Sequence, residues 1–240
     1  MQLLISVRSP DEVPAALEGG ADILDAKEPS AGTLGMVAPG TLRAIVGALP
    51  PGVPLSVALG DPGNAADAVR FVGMARDALD GRTGALVKLG VLQHGDPARA
   101  VDILRAAVRA AGDELKVVAV LYADRVTASD VLDFAGAAAR TGVAGLLMDT
   151  FDKHGGGLFD HFPASQVAAL ALQAHSAGLF LALAGRLKED DVNLAAGVGA
   201  DIIGFRGAAC EGGRNGIVMA ARVRALRAAL RAATTGAAAP

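Results

Sequence analysis

Eight short apolar segments alternate along the chain with longer amphipathic segments, and this alternation most constrains the fold. Parallel strands buried on both faces form continuous apolar runs, whereas the helices between them show helical spacing and capping residues. The predicted strands cover residues 3–7, 22–27, 55–59, 85–89, 115–122, 145–149, 179–183 and 201–205. This pattern predicts an α/β protein, a single-domain (β/α)₈ barrel of the TIM type over residues 1–233.

Turn and capping residues support the same division. Ser9-Pro10-Asp11-Glu12 offers an N-cap, an early proline and a capping glutamate before the first helix. Asp96-Pro97 begins another helix, and the last helix is predicted over residues 217–232, before a disordered tail at 234–240. A doubly wound open sheet is the competing fold, but it normally has fewer strands, and no Gly-x-Gly-x-x-Gly fingerprint follows the first strand.

The composition argues against several classes of partner. Aromatic residues make up 3% of the chain and its formal net charge is -3, so the stacking surfaces and basic patches of nucleic-acid-binding proteins are not expected. No apolar run approaches membrane-spanning length and no charged leader precedes the first strand, which predicts a cytoplasmic protein without a membrane partner. The apolar faces of the helices near 101–111 and 223–233 could serve a homo-oligomer as easily as barrel packing.

Cysteine and histidine usage predicts no metal and no cofactor. The lone Cys210 cannot form an internal disulfide and is expected to be a small buried apolar residue. The histidines are scattered without the spacing of metal ligands, at His94, His154, His161 and His175.

Ionisable side chains gather at the carboxyl ends of the predicted strands, where barrel active sites lie. Asp25 and Lys27 share one face at the end of strand two, as either a mutually neutralised pair or a working site. Lys88 lies near the end of strand four, Asp149 ends strand six, and Lys153 follows in the next loop. Because buried charge is rare in ordinary cores, three lysines and two aspartates at one mouth favour a functional site.

These residue types indicate amine chemistry on a carbonyl. Clustered ammonium groups repel, so at least one lysine is expected to titrate unusually low and to attack a carbonyl as a Schiff-base nucleophile. The other two lysines can hold anions or shuttle protons, while the carboxylates orient the amines or act as general acids and bases. Tyr122 and Asp124 are additional candidates, since both lie at the end of strand five.

Gly185, Arg206 and Gly207 follow strands seven and eight, where barrels often bind phosphate through backbone amides and short helix N-termini. They are predicted to hold a substrate phosphate. The run His154-Gly155-Gly156-Gly157 predicts either a mobile lid or a turn with left-handed residues. His154 and His161 could assist proton transfer or take no part in it.

Three separated motifs give the chain a specific resemblance: DAKEP at residues 25–29 with Gly32 and Gly35, VKLG at 87–90, and LMDT at 147–150 with Lys153 and Gly155. With these motifs the chain, apart from its tail, resembles the (5-formylfuran-3-yl)methyl phosphate synthase family, also called 4-(hydroxymethyl)-2-furancarboxaldehyde-phosphate synthases. The resemblance implies a TIM-type barrel that condenses two molecules of glyceraldehyde 3-phosphate, with loss of phosphate and water, into a furan aldehyde phosphate. That product is a precursor of methanofuran or of a related methylofuran.

By the same resemblance, Lys27 is the Schiff-base lysine, Lys88 and Lys153 are the other active lysines, and Asp25 and Asp149 are the acid/base carboxylates. The implied partner is a small sugar phosphate. The residues alone leave two alternatives open. One is a class I-type aldolase or triose-phosphate isomerase acting on related sugar phosphates, and the other is a non-catalytic barrel that binds a phosphate ligand.

Overall fold

The computed structural model describes residues 1–92 and 96–236, and within them eight parallel strands close into a barrel. In chain order these strands are β1 (Gln2–Val7), β2 (Ile23–Ala26), β3 (Leu55–Ala58), β4 (Ala85–Leu92), β5 (Leu115–Tyr122), β6 (Gly145–Asp149), β7 (Phe180–Leu183) and β8 (Ile202–Phe205). Each strand pairs with its neighbours in sequence, and β8 closes on β1 with Gln2 opposite Ile202 and Ile5 opposite Phe205. The predicted single-domain (β/α)₈ barrel is confirmed.

Helices cover the outside of the barrel. They are α1 (Val13–Glu18), α2 (Pro39–Ala48), α3 (Ala65–Leu79), α4 (Pro97–Ala111), α5 (Ala128–Ala139), α6 (Leu158–His161), α7 (Ala164–Ser176), α8 (Asp191–Gly197) and α9 (Ala220–Gly236). Asp96 caps α4 as its sequence predicts, since its Oδ1 accepts a hydrogen bond from the amide of Arg99 at 3.1 Å. Across the described residues, no helix combines the length and the apolar character needed to cross a membrane.

Alternate residues of each strand face two different apolar layers. In β1, Leu3, Ile5 and Val7 pack in the large core between the strands and the helices. Leu4 instead joins a smaller cluster with other inward-facing residues such as Val118, inside the barrel. This alternation directs polar side chains of the same inward set, beginning with Ser6 in β1, into the barrel mouth rather than into the helix layer.

The segment after β8 differs from the sequence prediction of a helix that begins at Ile217. Ile217 and Val218 form a short strand β10 (Ile217–Val218), which pairs antiparallel with β9 (Cys210–Glu211). The isolated hairpin satisfies backbone groups that a helix start would leave unpaired, and α9 begins only at Ala220. Cys210 is buried, as predicted.

The predicted tail is partly helical. α9 continues to Gly236, three residues into the segment expected to be disordered. Alanine favours the helix, and the hydroxyls of Thr234 and Thr235 bond carbonyls of the preceding turn. Residues 237–240 and His94 lie outside the described residues.

Candidate active site

A cavity of about 450 Å³ opens at the carboxyl ends of the strands. Its lining brings together all five predicted catalytic side chains, namely Asp25, Lys27, Lys88, Asp149 and Lys153. Asp25 and Asp149 belong to strands, Lys27 directly follows β2, and Lys153 lies in the loop after β6. Closure of the barrel therefore brings residues that are far apart in the sequence together at one mouth.

The deeper part of the cavity holds a group that we call the deep cluster: Ser6, Asp25, Ser56 and Lys88. Ser6, Asp25 and Ser56 lie side by side, since Asp25 is in register with Ser6 on one side and with Ser56 on the other. The amine of Lys88 lies 2.6 Å from Asp25 Oδ1, and the hydroxyl of Ser6 donates to Asp25 Oδ2 at 2.9 Å. Lys88 lies within its strand rather than at the end, because β4 continues to Leu92.

The second group, which we call the rim cluster, consists of Lys27, Asp149 and Lys153. The amine of Lys153 lies 2.6 Å from Asp149 Oδ1, while the amine of Lys27 lies 3.8 Å from Asp149 Oδ2. Lys153 also donates to the carbonyl of Thr150. Asp25 and Lys27 therefore do not neutralise each other: each has its ion-pair partner across the barrel, which corrects the first of the two interpretations drawn from the sequence.

Burial of the rim cluster favours a neutral amine at Lys27. Burial lowers the pKa of Lys27 from 10.5 to about 8, with Asp149 opposing the shift and the charges of Lys153 and Lys88 adding to it. Burial by itself raises the pKa of Asp149, but Lys153, Lys27 and the hydrogen bonds to its oxygens outweigh it, so the net shift is downward. Asp149 thus stays ionised while Lys27 is unprotonated far more often than an exposed lysine.

Three neighbouring loops hold the loop that carries Lys153. Both carboxylate oxygens of Asp124 accept hydrogen bonds from consecutive amides, those of Phe151 at 2.6 Å and Asp152 at 2.7 Å. The hydroxyl of Thr33, after β2, donates to the carbonyl of Phe151 at 2.7 Å. Arg186, after β7, donates to the carbonyl of Lys153. Asp124 therefore fixes the backbone of the loop that carries Lys153. Thr33 and Arg186 hold the same loop, and the sequence patterns did not indicate either of them.

Tyr122 supports a different loop. Its hydroxyl donates to Asp61 Oδ1 at 2.5 Å, so it ties β5 to the turn after β3. Burial, followed by the nearby charge of Asp61, raises the pKa of Tyr122. This side chain is buried and stays protonated, which suits a structural role rather than acid/base chemistry.

Arg206 does not have the role predicted for it. Its guanidinium bonds both carboxylate oxygens of Glu12, at 2.5 and 3.0 Å, and the carbonyls of Ser6, Arg214 and Gly216. These contacts use all five N–H donors of an arginine, so its side chain cannot also bind a phosphate. Glu12, predicted to cap a helix, is instead half of this buried ion pair and accepts from the amide of Arg8.

The two glycines of the predicted phosphate site do line the cavity. Gly185 has a φ of 94°, and a Cβ on it would lie 2.9 Å from the amide nitrogen of Thr150. This position therefore requires glycine for close packing of the turn after β7 against the end of β6. Gly207 is exposed beside the same mouth.

The glycine run after Lys153 is not a left-handed turn, since positive φ angles occur at none of its residues. His154 lines the cavity, whereas His161 closes the short helix α6 and is absent from the lining. In the described part of the chain, no three His, Cys, Asp or Glu side chains are arranged to hold a metal ion.

Fold and site together define a (β/α)₈-barrel protein whose mouth presents three amines and two carboxylates. Its backbone is similar to phosphoribosyl anthranilate isomerase from Thermus thermophilus, with a TM-score of 0.64, 18% sequence identity, and coverage of 97% of this chain and 99% of that one. At this identity the likeness concerns the fold alone.

Sequence comparison identifies the family. A model of the 4-HFC-P synthase family matches residues 3–227. The chain is 38% identical over 240 residues to (5-formylfuran-3-yl)methyl phosphate synthase of Methanopyrus kandleri, with coverage of 95% of this chain and 98% of the relative. It is 37% identical over 222 residues to the synthase of the same name from Methanocaldococcus jannaschii, with coverage of 89% and 92%. The chain belongs to the 4-HFC-P synthase family of enzymes, which confirms the resemblance drawn from the three motifs.

Proposed function

We propose that this protein is a (5-formylfuran-3-yl)methyl phosphate synthase that condenses two molecules of glyceraldehyde 3-phosphate through a Schiff base on Lys27. The buried amine of Lys27 carries most weight: it lines the cavity, shares a carboxylate with another lysine, and has a pKa lowered to about 8. A neutral amine next to an ionised carboxylate is what imine formation with a carbonyl requires. The names of the relatives support the same product.

The first steps prepare the two reactants. Lys153 and Asp149 move a proton between carbons of one triose phosphate and convert it to its ketone. Lys27 attacks the ketone carbon, water leaves, and an imine forms. A carboxylate, Asp149 or Asp25, removes the proton beside the aldehyde of the second triose phosphate, which expels its phosphate from the next carbon and leaves an enol.

The later steps build the ring. The terminal carbon of the enol attacks the imine carbon and forms the new carbon–carbon bond, which gives the branched carbon skeleton of the product. The Lys27 amine then leaves, the free hydroxyl group closes the ring on the ketone of the second triose, and loss of water gives the aromatic furan aldehyde. With the water released in imine formation, two triose phosphates yield one product, one phosphate and two waters. Lys88, whose charge Asp25 already matches at 2.6 Å, is suited to proton transfer rather than phosphate binding. As the family resemblance implies, the product would serve in making methanofuran or methylofuran.

Borohydride reduction during turnover tests this proposal. With glyceraldehyde 3-phosphate, the protein should give a trapped adduct on the peptide that contains Lys27, together with furan absorbance and released phosphate. Lys27→Ala should abolish all three, whereas Lys116→Ala, which removes an exposed lysine, should change none.

Absence of an adduct, or equal trapping in Lys27→Ala, would refute the imine step. An aldolase or isomerase would convert the substrate without producing aromatic furan protons in the NMR spectrum. A non-catalytic barrel would bind the sugar phosphate without turnover.

A further inference from the structure

We propose that Arg186 and Arg214 together form the phosphate-binding subsite of this cavity, in place of Arg206. The assignment rests on the proposed function for the identity of the ligand, a triose phosphate. It concerns residues that follow β7 and β8 and that neither the sequence motifs nor the position of Arg206 indicated.

The first argument is the availability of donors. Arg206 has none left, because Glu12 and three carbonyls take all five N–H groups. Arg186 and Arg214 also line the cavity, but within the described residues their guanidinium groups donate to backbone carbonyls. Arg214 donates through Nη2 to Pro29 at 2.9 Å and to Gly32 at 3.2 Å, and Arg186 donates through Nη1 to Lys153.

The second argument is charge. Among the described residues that line the cavity, Lys88 pairs with Asp25, Lys27 and Lys153 share Asp149, and Arg206 pairs with Glu12. In the same part of the structure Arg186, Arg214 and the exposed Lys188 form no ion pair within 4 Å, and the nearest compensation for Arg186 is the longer-range charge of Asp152. Burial lowers the pKa of Arg214, opposed by Asp149 and reinforced by the charges of Arg206 and Arg186, so its cation would be stabilised by an incoming anion. A phosphate monoester, with a charge of about -1.5 to -2 at neutral pH, supplies that anion.

The third argument is backbone conformation. Arg186 has a φ of 55° and follows Gly185, whose φ is 94°. A left-handed conformation is unfavourable for a residue with a Cβ, and such residues are concentrated at ligand sites. Here the conformation occurs at the cavity rim, with the guanidinium bonded to the loop that carries Lys153.

The location also fits the chemistry. Arg214 contacts the loop that follows Lys27, and Arg186 contacts the loop that carries Lys153. An anion held by both guanidinium groups therefore lies at the same mouth as the two amines of the rim cluster. Planar guanidinium groups present paired donors that match phosphate oxygens, which lysine cannot do.

Binding of glycerol 3-phosphate, which carries the phosphate but no carbonyl, tests the subsite by calorimetry on the intact protein. Arg186→Gln and Arg214→Gln should each weaken binding about tenfold or more, because each removes charge-assisted hydrogen bonds. Arg105→Gln, an exposed arginine on the outer helix α4, is the matched control and should bind like the wild type. With glyceraldehyde 3-phosphate, KM should rise more than kcat falls.

Replacement of each arginine by lysine gives a second test that does not depend on whether the glutamine variants fold. Arg186→Lys and Arg214→Lys retain the charge without the paired donors, so their affinity should lie between those of the wild type and the glutamine variants. If a glutamine variant does not fold, the lysine variant takes its place and must still bind at least about threefold more weakly than the wild type. Wild-type affinity in these variants would overturn the subsite.

The outcome also separates this inference from the proposed function. A wild-type protein that binds glycerol 3-phosphate through the two arginines but makes no furan would leave the subsite standing and refute the synthase activity. Furan synthesis by the wild type, with unchanged glycerol 3-phosphate binding in the arginine variants, would refute the subsite and leave the synthase activity standing.

Discussion

The deep cluster and the rim cluster contain the same residue types, lysine and aspartate, in very different balance. In the deep cluster one carboxylate, Asp25, lies 2.6 Å from one amine, Lys88, and Ser6 fills its other oxygen. In the rim cluster one carboxylate, Asp149, serves two amines at 2.6 and 3.8 Å. In the deep cluster each charge has one partner of opposite sign. In the rim cluster two ammonium groups share one carboxylate, so the positive charge of Lys27 is only partly balanced. Burial is the largest cause of the pKa of about 8 at Lys27, and the single carboxylate that it shares with Lys153 offsets only part of that shift.

The largest expected difference between the clusters is in stability. Asp25→Ala leaves the buried ammonium of Lys88 without its partner and should lower the free energy of unfolding by about 3–5 kcal/mol. Asp149→Ala should cost less, about 1–3 kcal/mol, because Lys27 can release its proton and Lys153 lies on a loop. Urea denaturation of both variants at one pH measures the difference.

A double variant checks the cause. Asp25→Leu with Lys88→Met replaces the pair by apolar groups and should recover most of the stability that Asp25→Ala loses. Equal losses for Asp25→Ala and Asp149→Ala would show that the two clusters do not differ as their charge balance implies.

The second difference is in what holds the clusters in place. The deep cluster is built entirely on strands, while Lys153 depends on a loop fixed by Asp124. Asp124→Ala removes two hydrogen bonds to a carboxylate, so kcat for furan formation should fall about 10- to 100-fold. Asp124→Asn, which keeps one acceptor oxygen, should recover part of that loss.

Asp130→Ala is the control for this variant. Asp130 accepts hydrogen bonds from the amide and the hydroxyl of Thr127 in the capping box of α5, away from the cavity. Its removal should lower stability but leave kcat unchanged. An equal loss of kcat in both variants would mean that Asp124 acts only through general stability.

Sequence periodicity was enough to predict that the site residues lie at one mouth of the barrel, but it did not predict which of them form ion pairs. Asp25 and Lys27 lie two residues apart at the end of β2, a spacing at which a long lysine side chain can either reach the carboxylate or extend away from it, so the local sequence leaves the pairing undecided. Their partners, Lys88 and Asp149, come from other strands of the closed barrel. Only the register and curvature of the barrel determine those contacts, and neither is a local property of the sequence.

The same limit explains the error at Arg206. A cation after the eighth strand is a reasonable phosphate ligand by position, but Glu12 neutralises it across a separation of 194 residues. No local pattern connects the two. Arg186 directly follows Gly185, but its left-handed conformation could not be anticipated, because that conformation is normally expected only at glycine or asparagine.

A pH profile sharpens the comparison further. Lys27 attacks in its neutral form, so the rate of imine trapping, measured with the ketone triose phosphate so that no isomerisation is needed, should rise with pH, reach half its maximum near 8 and level off above that. Lys153→Gln removes a neighbouring positive charge and should move the midpoint upward by about one pH unit. Asp149→Asn removes the carboxylate that favours the ammonium form and should move it downward.

The deep cluster should have little influence on that profile. Asp25 raises and Lys88 lowers the pKa of Lys27, so removing both in Asp25→Leu/Lys88→Met should nearly cancel. The trapping midpoint of this double variant, measured beside that of Lys153→Gln, checks the claim. A shift as large as that of Lys153→Gln would show that the two clusters act as one electrostatic unit.

The smallest expected effect comes from a single hydrogen bond between two loops of the rim. Thr33→Val removes the bond of 2.7 Å to the carbonyl of Phe151 while it preserves the shape of a buried side chain. Thr141→Val is a close match, since Thr141 is also buried and its hydroxyl donates to the carbonyl of Ala138 at 2.7 Å, at the end of α5. Both variants should lose about 0.5–1.5 kcal/mol of stability, but only Thr33→Val should lower kcat, by about 2- to 10-fold. A similar kcat in the two variants would mean that the loop after β6 keeps Lys153 in position without help from the loop after β2.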